Sequence, residues 1–346
     1  MSSTHSIPLR QLGKHGPRVP AIGFGLMGLA GAYGQAASED EGFQILDRAF
    51  ELGETFWDTA DIYRGNEQLI GKWFKQTGKR DEIFLASKGA IMMDGSQFKG
   101  VDSSGEYLKH ACEKSLARLG VEYIDLYYAH RLNPNTPVEE SMRALAELKT
   151  EGKIKHIGLC GLSSTALRRA VKIAPVAAVQ IEYSPFVREV ETGVSGDLAA
   201  TCRELGVALV CYSPLGRGLL TGSVSNRSDV TQGTDMRAKN FPWFSEENLD
   251  ANAKLVARFK ELADKNGCSS SQLALAWLLA QGDNVFPIPG TRKIKYLEDN
   301  VKALDVTLTD EKVVEVREFL EHNELQGYHS VEQAKHFAYV DTKADA

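Results

Sequence analysis

Two aspartates and a phenol, Asp58, Asp61 and Tyr63, stand close together in the segment ETFWDTADIY, residues 54–63. Its residues Thr55, Phe56 and Trp57 are β-branched or aromatic, as is typical of a buried strand, and Asp58 follows them directly. A carboxylate buried in a strand is costly unless a partner pairs with it. The segment therefore predicts a partner for Asp58 elsewhere in the chain, close to a tyrosine hydroxyl that can give a proton.

Candidate partners stand at the ends of other apolar runs. Lys88 ends the run IFLASK and His130 ends the run IDLYYAH. A lysine next to Tyr63 favours the phenolate, which predicts a tyrosine pKa below its usual value of about 10. With His130 orienting a carbonyl oxygen and the aromatic ring of Tyr212 nearby, these residues predict hydride transfer to an aldehyde or ketone. For Asp58 and Lys88 taken alone, a purely structural ion pair is the alternative.

The elements that must position these residues alternate along the chain. Eight short apolar runs are candidate strands: AIGFGLMG, TFWDTA, IFLASK, IDLYYAH, HIGLCGL, AAVQIEYS, VALVCYS and VFPIPG. Stretches with helical spacing lie between them and end in a glycine, as helices commonly do, at Gly53, Gly78, Gly120, Gly152 and Gly206. Eight strand–helix units in about 300 residues predict a (β/α)8 TIM barrel, whose strands bring their carboxyl ends to one face.

The same pattern predicts the domain organisation. The N-terminal segment IPLRQLGKHGPRVPAIGFG has the pattern of a β-hairpin, which we expect to cap the barrel. No linker divides the chain, so residues 1–346 are expected to form a single domain. Residues 216–247 form a long connection that is expected to be functional or disordered. The tail from about residue 323 either reaches back over the site or is a mobile terminus.

Composition excludes several function classes. The net charge of −6 and the pI near 5.8 argue against binding to nucleic acid or to an anionic membrane surface. The five cysteines are scattered and the histidines lack metal-ligand spacing, so the sequence predicts a reducing compartment and no metal site. Without an N-terminal apolar segment or an 18-residue apolar run, a cytoplasmic location is expected. The sequence leaves the physiological substrate, the direction of reaction in the cell and the oligomeric state open.

One set of motifs resembles a known family. The pattern G-x-x-F-W-D-T-A-D-x-Y, with the later A-S-K and Y-Y-A-H, closely resembles the aldo-keto reductase superfamily, and the resemblance extends over roughly residues 7 to 322. It implies that Asp58, Tyr63, Lys88 and His130 form a catalytic tetrad in which Tyr63 is the proton donor. It also implies NADPH-dependent reduction of a small-molecule carbonyl substrate.

The resemblance further assigns residues to the NADPH site. Those implied at the nicotinamide end are Gly25, Leu26, Met27, Asp58, Cys160, Gly161, Gln180 and Tyr212. The loop implied around the pyrophosphate is Ser213, Pro214, Leu215, Gly216, Arg217, Gly218 and Leu219. The adenosine-phosphate site is implied at Gly290, Thr291, Arg292, Tyr296, Asp299 and Asn300. At this last site a strand leads through Pro-Gly-Thr into a helix start, which suits a phosphate, and Arg292 adds charge.

The chain departs from the family pattern at one position. Many family members have Ser-Asn after the fifth strand to hold the carboxamide of the cofactor, whereas this chain has Cys160 and Gly161. Neither residue can donate and accept as asparagine does. We interpret Cys160 as a packed small residue rather than a redox switch.

Two alternative functions follow from the same residues. The branch that this chain resembles contains pyridoxal reductases and plant and fungal reductases, but also potassium-channel beta subunits, so an NADPH-binding regulatory scaffold with little turnover is one alternative. A Schiff-base aldolase that uses Lys88 is the other. A carboxylate partner keeps Lys88 protonated, which argues against the aldolase.

Overall fold

The computed structural model describes residues 7–31, 33–95, 97–224, 226–231, 235–331 and 335–345. The strands are β1 (Leu9–Gln11), β2 (Arg18–Pro20), β3 (Phe24–Gly25), β4 (Phe56–Asp58), β5 (Phe84–Gly89), β6 (Ile91–Asp94), β7 (Gln97–Val101), β8 (Ile124–Ala129), β9 (Ile154–Cys160), β10 (Val176–Glu182), β11 (Ala208–Tyr212) and β12 (Val285–Pro287). The helices are α1 (Glu39–Glu51), α2 (Asn66–Thr77), α3 (Gly105–Leu119), α4 (Val138–Thr150), α5 (Ser164–Ala170), α6 (Leu198–Leu205), α7 (Arg237–Asn240), α8 (Leu249–Lys265), α9 (Ser270–Leu279), α10 (Ile294–Val301) and α11 (Asp310–Glu321).

Eight strands form one parallel sheet, in the order β3, β4, β5, β8, β9, β10, β11 and β12. Backbone hydrogen bonds join its first and last strands, because the Gly23 N–H donates to the Pro287 carbonyl at 3.0 Å and the Gly25 N–H to the Pro289 carbonyl at 3.1 Å. A Cβ on Gly25 would lie only 2.7 Å from the carbonyl oxygen of Ile288, so glycine permits this close approach. The predicted TIM barrel and its eight strands are confirmed.

The predicted N-terminal hairpin is also confirmed. Strands β1 and β2 pair antiparallel, and their connection is tied to the barrel by the Lys14 N–H, which donates to the Gly206 carbonyl at 2.6 Å. Leu12 and Val19 of the hairpin are buried in one apolar cluster with barrel residues such as Phe56 and Tyr128. The hairpin therefore closes the end of the barrel opposite the carboxyl ends of the strands.

Capping residues explain where the helices begin and end. Ser38 accepts from the Glu41 N–H while Glu41 accepts from the Ser38 N–H, a capping box that starts α1. Gly78 and Gly120 follow α2 and α3 in the left-handed conformation, with φ of 70° and 64°. These are two of the glycines from which the sequence predicted helix ends.

A second hairpin was missed by the sequence analysis. Strands β6 and β7 pair antiparallel directly after β5 and project from the carboxyl end of the barrel. The ring of Phe98 in this hairpin lies 5.9 Å from the ring of Phe337 in the C-terminal tail, centroid to centroid. The hairpin and the tail therefore meet at the face where the barrel strands end.

The C-terminal tail crosses this face, which confirms the first of the two expectations for it. Val340 forms a parallel bridge with Leu162, and its N–H donates to the Gly161 carbonyl at 2.9 Å. Asp345 accepts two hydrogen bonds from Arg143, at 2.8 and 3.0 Å. Among the described residues, no helix is long and apolar enough to cross a membrane.

Candidate active site

A buried ion pair stands at the ends of two adjacent barrel strands. Asp58 ends β4 and accepts a 2.5 Å hydrogen bond from the ammonium of Lys88 on β5, and both side chains are almost fully buried. The same ammonium donates to the Thr59 carbonyl at 2.7 Å, while the amide of Gln180 on β10 donates to the other Asp58 oxygen at 2.7 Å. Lys88 is therefore the partner that the sequence predicted for Asp58.

The two charges stabilise each other against the cost of burial. Burial raises the pKa of the Asp58 carboxyl above its usual value, although Lys88 and Gln180 lower it. Burial alone lowers the pKa of Lys88, but the Asp58 carboxylate outweighs it, so the net pKa is raised above its usual value. A lysine held in this way is protonated at neutral pH and is a poor amine nucleophile, which removes the physical basis of the aldolase alternative.

Tyr63 lies beside this pair. A turn after β4, closed by the Tyr63 N–H donating to the Ala60 carbonyl at 3.1 Å, brings the tyrosine back over the strand end. Its ring centroid is 5.1 Å from the Lys88 nitrogen. The expected drop in the pKa of Tyr63 is wrong, because burial raises it to about 12 although Lys88 lowers it. The phenol is therefore a fully protonated acid at neutral pH.

His130 completes the group on the next strand of the barrel. It follows β8 directly, its N–H donates to the Gly89 carbonyl at 2.7 Å, and its ring centroid lies 6.2 Å from that of Tyr63. Burial, and then the charges of Lys88 and Arg131, hold the pKa of His130 well below its usual value. The imidazole is thus neutral, and a neutral imidazole has one N–H to offer to a carbonyl oxygen.

Most residues implied at the nicotinamide end also come to this face. Gly25, Cys160 and Tyr212 end three barrel strands, and Gly161 follows β9, while Leu26 and Met27 begin the short helix Leu26–Ala30. Gln180 also lies at this face, where its amide nitrogen donates to Asp58, and its implied contact with the carboxamide stays a prediction. Cys160 is buried and its pKa is raised to about 12 by burial, as expected for a packed, inert thiol.

The implied pyrophosphate loop, residues 213–219, has an unusual backbone. Ser213 and Arg217 both adopt the left-handed conformation, with φ of 50° and 56°, which is uncommon for residues other than glycine. Gly216 and Gly218 share this conformation, whereas Pro214, Leu215 and Leu219 do not. Because such backbone is found mainly where the surrounding structure enforces it, and often at ligand sites, the loop is a strong candidate for binding.

The side chain of Arg217 is paired with a buried carboxylate. Its guanidinium binds both oxygens of Glu182, one of them at 2.8 Å, and the two side chains are 6% and 4% exposed. Burial alone raises the pKa of Glu182, but Arg217 and His329 outweigh it and lower the pKa to about 2. Arg217 therefore fixes the loop rather than offering its charge to a ligand.

The residues of the implied adenosine-phosphate site lie between β12 and the end of α10. Gly290 and Thr291 lie between β12 and α10, and exposed Arg292 donates to the backbone carbonyls of Gln35 and Tyr33, the latter at 3.2 Å. Tyr296 is 44% exposed on α10, and Asn300 is buried.

The side chain of Asp299 is hydrogen-bonded to two side chains of α9 and its N-terminal cap. Its carboxylate accepts from the Ser269 hydroxyl at 3.1 Å and from the Gln272 amide at 2.8 Å, which ties α10 to the start of α9. Asp299 therefore has a structural role, and its implied role in cofactor binding stays a prediction.

Two charged residues at the site, Glu182 and Arg131, were missed by the sequence analysis. Glu182 ends β10, and His329 from the tail lies 3.1 Å from it and 3.4 Å from Glu189. Arg131 follows His130 and donates to its carbonyl at 2.8 Å.

Arg237 lies behind the implied pyrophosphate loop. Its side chain is 12% exposed, pairs with Asp235 at 2.7 Å and donates to the Arg217 carbonyl at 3.0 Å. It therefore stabilises the loop 213–219 through a hydrogen bond to its backbone. Within the described ranges, no group of three or more histidine, cysteine or acidic residues forms a metal centre.

Comparisons with known proteins agree with this geometry. The family model described as Aldo/keto reductase family matches residues 21–321. The chain is 47% identical over 326 residues to aldo-keto reductase str7 of Strobilurus tenacellus, covering 93% of this chain and 94% of that protein. It is 45% identical over 340 residues to aldo-keto reductase yakc (NADP(+)) of Schizosaccharomyces pombe, covering 97% and 98%. The solved holo form of aldo-keto reductase AKR11C1 from Bacillus halodurans superposes with a TM-score of 0.74 at 28% identity, covering 92% and 98%.

Proposed function

The chain belongs to the aldo/keto reductase family and is an oxidoreductase, and we propose that it reduces an aldehyde or ketone to an alcohol with NADPH, using Tyr63 as the proton donor. The observation that carries the proposal is the buried Asp58–Lys88 pair beside Tyr63 and His130 at the carboxyl ends of the barrel strands. Barrel enzymes place their chemistry at this face.

Tyr63, Lys88 and His130 have different roles in protonating the carbonyl oxygen. Tyr63 gives its proton to the carbonyl oxygen as charge develops there, and the Lys88 ammonium, 5.1 Å from its ring, stabilises the phenolate that remains. Asp58 and Gln180 hold the lysine in place and leave it no freedom to attack the carbonyl carbon. His130, being neutral, positions the carbonyl oxygen through its N–H without competing as an acid. Bound NADPH would supply the hydride.

The donor set fits a phosphorylated dinucleotide. Tyr212 is half-buried at the end of β11, where its ring can pack against a flat heterocycle, and the left-handed loop 213–218 follows it. At the start of α10, Arg292, Lys293 and Lys295 are exposed, and none of them pairs with a carboxylate among the described residues. Such a group of cations at a helix start suits the additional phosphate of NADPH. The name of the fission-yeast relative, which includes NADP(+), supports the same choice.

A panel of aldehydes and ketones, followed by the loss of NADPH absorbance, tests the proposal. We expect turnover of at least several aldehydes by the wild-type protein and none without carbonyl substrate. Tight NADPH binding without turnover across the panel would instead support the regulatory-scaffold alternative.

A further inference from the structure

A narrow cavity over the ends of β9, β10 and β11 contains more charge than the proposed chemistry uses. Arg131, Gly161, Glu182 and Tyr212 line it from the barrel, and Tyr328 and Tyr339 line it from the tail. Arg131 and Tyr212 belong to the same face as Tyr63 and His130, and, besides the larger effect of burial, the charge of Arg131 lowers the pKa of both Tyr63 and His130, so the cavity borders the site of the proposed chemistry. The charges in the cavity can therefore select among substrates.

Most of these charges cancel one another. Glu182 is paired with Arg217 on one side and with His329 on the other, and Glu189 is paired with His329. Burial alone lowers the pKa of His329, but the two carboxylates raise it to about 9, so this imidazole is charged at neutral pH. Two carboxylates and two cations thus form a neutral group.

Arg131 does not belong to this neutral group. Its guanidinium donates to the His130 carbonyl at 2.8 Å and to the Tyr212 hydroxyl at 3.3 Å, and no carboxylate pairs with it in the part of the chain that the structure describes. A guanidinium has five N–H donors, so these two bonds orient it while leaving donors for a ligand. Lys88 is already neutralised by Asp58 and His130 is uncharged, so Arg131 gives the substrate side of the site a net positive charge.

The sequence departure at Gly161 makes room for this arginine. A Cβ on Gly161 would lie 3.0 Å from Cδ of Arg131 and 2.6 Å from the carbonyl oxygen of Phe337, and its φ is +66°. A side chain at position 161 would therefore push against both the arginine stem and the tail. Glycine here lets the guanidinium extend between the strand ends and the tail.

We propose that Arg131 binds a carboxylate carried by the substrate, so that the preferred substrates are aldehydes or ketones that also bear a carboxylate group. A partly buried cation without an anion is unfavourable, and a substrate carboxylate supplies the missing partner through the paired, planar hydrogen bonds that arginine makes with carboxylates. This inference rests on the proposed carbonyl reduction and adds the class of its substrate.

A matched substrate pair tests the inference. Para-carboxybenzaldehyde and its methyl ester present the same aldehyde with and without the negative charge, and the measured quantity is the ratio of their kcat/KM values. We expect the wild-type protein to favour the acid and Arg131→Gln to lower the ratio by roughly 10- to 100-fold, the range of one charged hydrogen bond. Because the result is a ratio, a general loss of activity in the variant cancels. Arg131→Lys should keep part of the preference.

Two measurements separate this role from others. Calorimetry with benzoate, which has a carboxylate but no carbonyl to reduce, should detect binding to the NADPH-loaded wild-type protein and not to folded Arg131→Gln. Arg168→Gln is the control, because it removes the same charge from an exposed site paired with Glu204, and it should leave the ratio unchanged.

Three outcomes would overturn the inference: no preference for the acid in the wild type, an unchanged ratio in Arg131→Gln, or a loss of NADPH affinity that matches the loss of activity. The last would place Arg131 on the cofactor. If neither aldehyde is reduced although NADPH and benzoate both bind, the proposed function fails while the anion site stands.

Discussion

The Asp58–Lys88 pair makes a quantitative prediction about coupling. The two side chains are 3% and 0% exposed and meet at 2.5 Å, so replacing either one leaves the other buried without its counter-charge. Removing one partner of such a pair typically lowers the free energy of unfolding by about 3–5 kcal/mol. We therefore expect Asp58→Asn and Lys88→Met each to lower the free energy of unfolding by about that much. The double variant leaves no unpaired buried charge, so its loss should be clearly less than the sum of the two.

Urea unfolding followed by circular dichroism measures all four proteins of this cycle, with equal m-values as the condition for comparing them. The exposed pair of Arg168 and Glu204 serves as the control, because both side chains are in water and its cycle should show almost no coupling. Losses that simply add in the Asp58–Lys88 double variant would mean that the two residues act independently. The argument that Asp58 holds Lys88 charged beside Tyr63 would then be wrong.

Three further predictions concern the cofactor, the tail and the core. Arg292→Ala should weaken NADPH binding by roughly 10- to 100-fold in a fluorescence titration and hardly change NADH binding, because only NADPH carries the additional phosphate. Burial alone lowers the pKa of His329, but Glu182 and Glu189 raise it to about 9. The protonated imidazole therefore adds roughly 3 kcal/mol to the free energy of unfolding. This contribution is complete below the unfolded pKa of about 6.5 and is lost as pH rises through about 9. Thermal unfolding should show this loss in the wild type and not in His329→Gln. Burial raises the pKa of the Glu54 carboxyl well above its usual value, so stability falls as pH rises past about 4.3, and Glu54→Gln should unfold at a higher temperature than the wild type near neutral pH.

The parts of the fold that the sequence predicted are those with a local pattern. Each barrel strand is a short apolar run, and glycines such as Gly78 and Gly120 mark helix ends because they adopt the left-handed conformation there. The β6–β7 hairpin has no such pattern, since its residues are largely exposed and their strand conformation depends on pairing with each other.

The candidate site was predictable where one residue stands at the end of one strand. Asp58, Lys88 and His130 satisfy this condition, and the barrel then brings them together. Glu182 also ends a strand, but its partner His329 lies in the tail, 147 residues later in the numbering, and their pairing depends on how the tail crosses the barrel.

Burial explains the one electrostatic expectation that was wrong. The sequence places Lys88 near Tyr63, and the lysine does lower the pKa of the phenol, but burial of the ring outweighs it. The extent of burial follows from the turn after β4 and the surrounding loops, which no spacing of residues reveals.

The most direct test of the proposed function is the rate of carbonyl reduction by Tyr63→Phe. This variant keeps the ring beside Lys88 and removes only the hydroxyl, so NADPH binding, measured by fluorescence titration, should be unchanged. General acid catalysis contributes on the order of 10²–10⁴ in rate, and kcat for an aldehyde that the wild type reduces should fall by that factor. A Tyr63→Phe variant that binds NADPH and still reduces the aldehyde at a near-normal rate would contradict the assignment of Tyr63 as the proton donor.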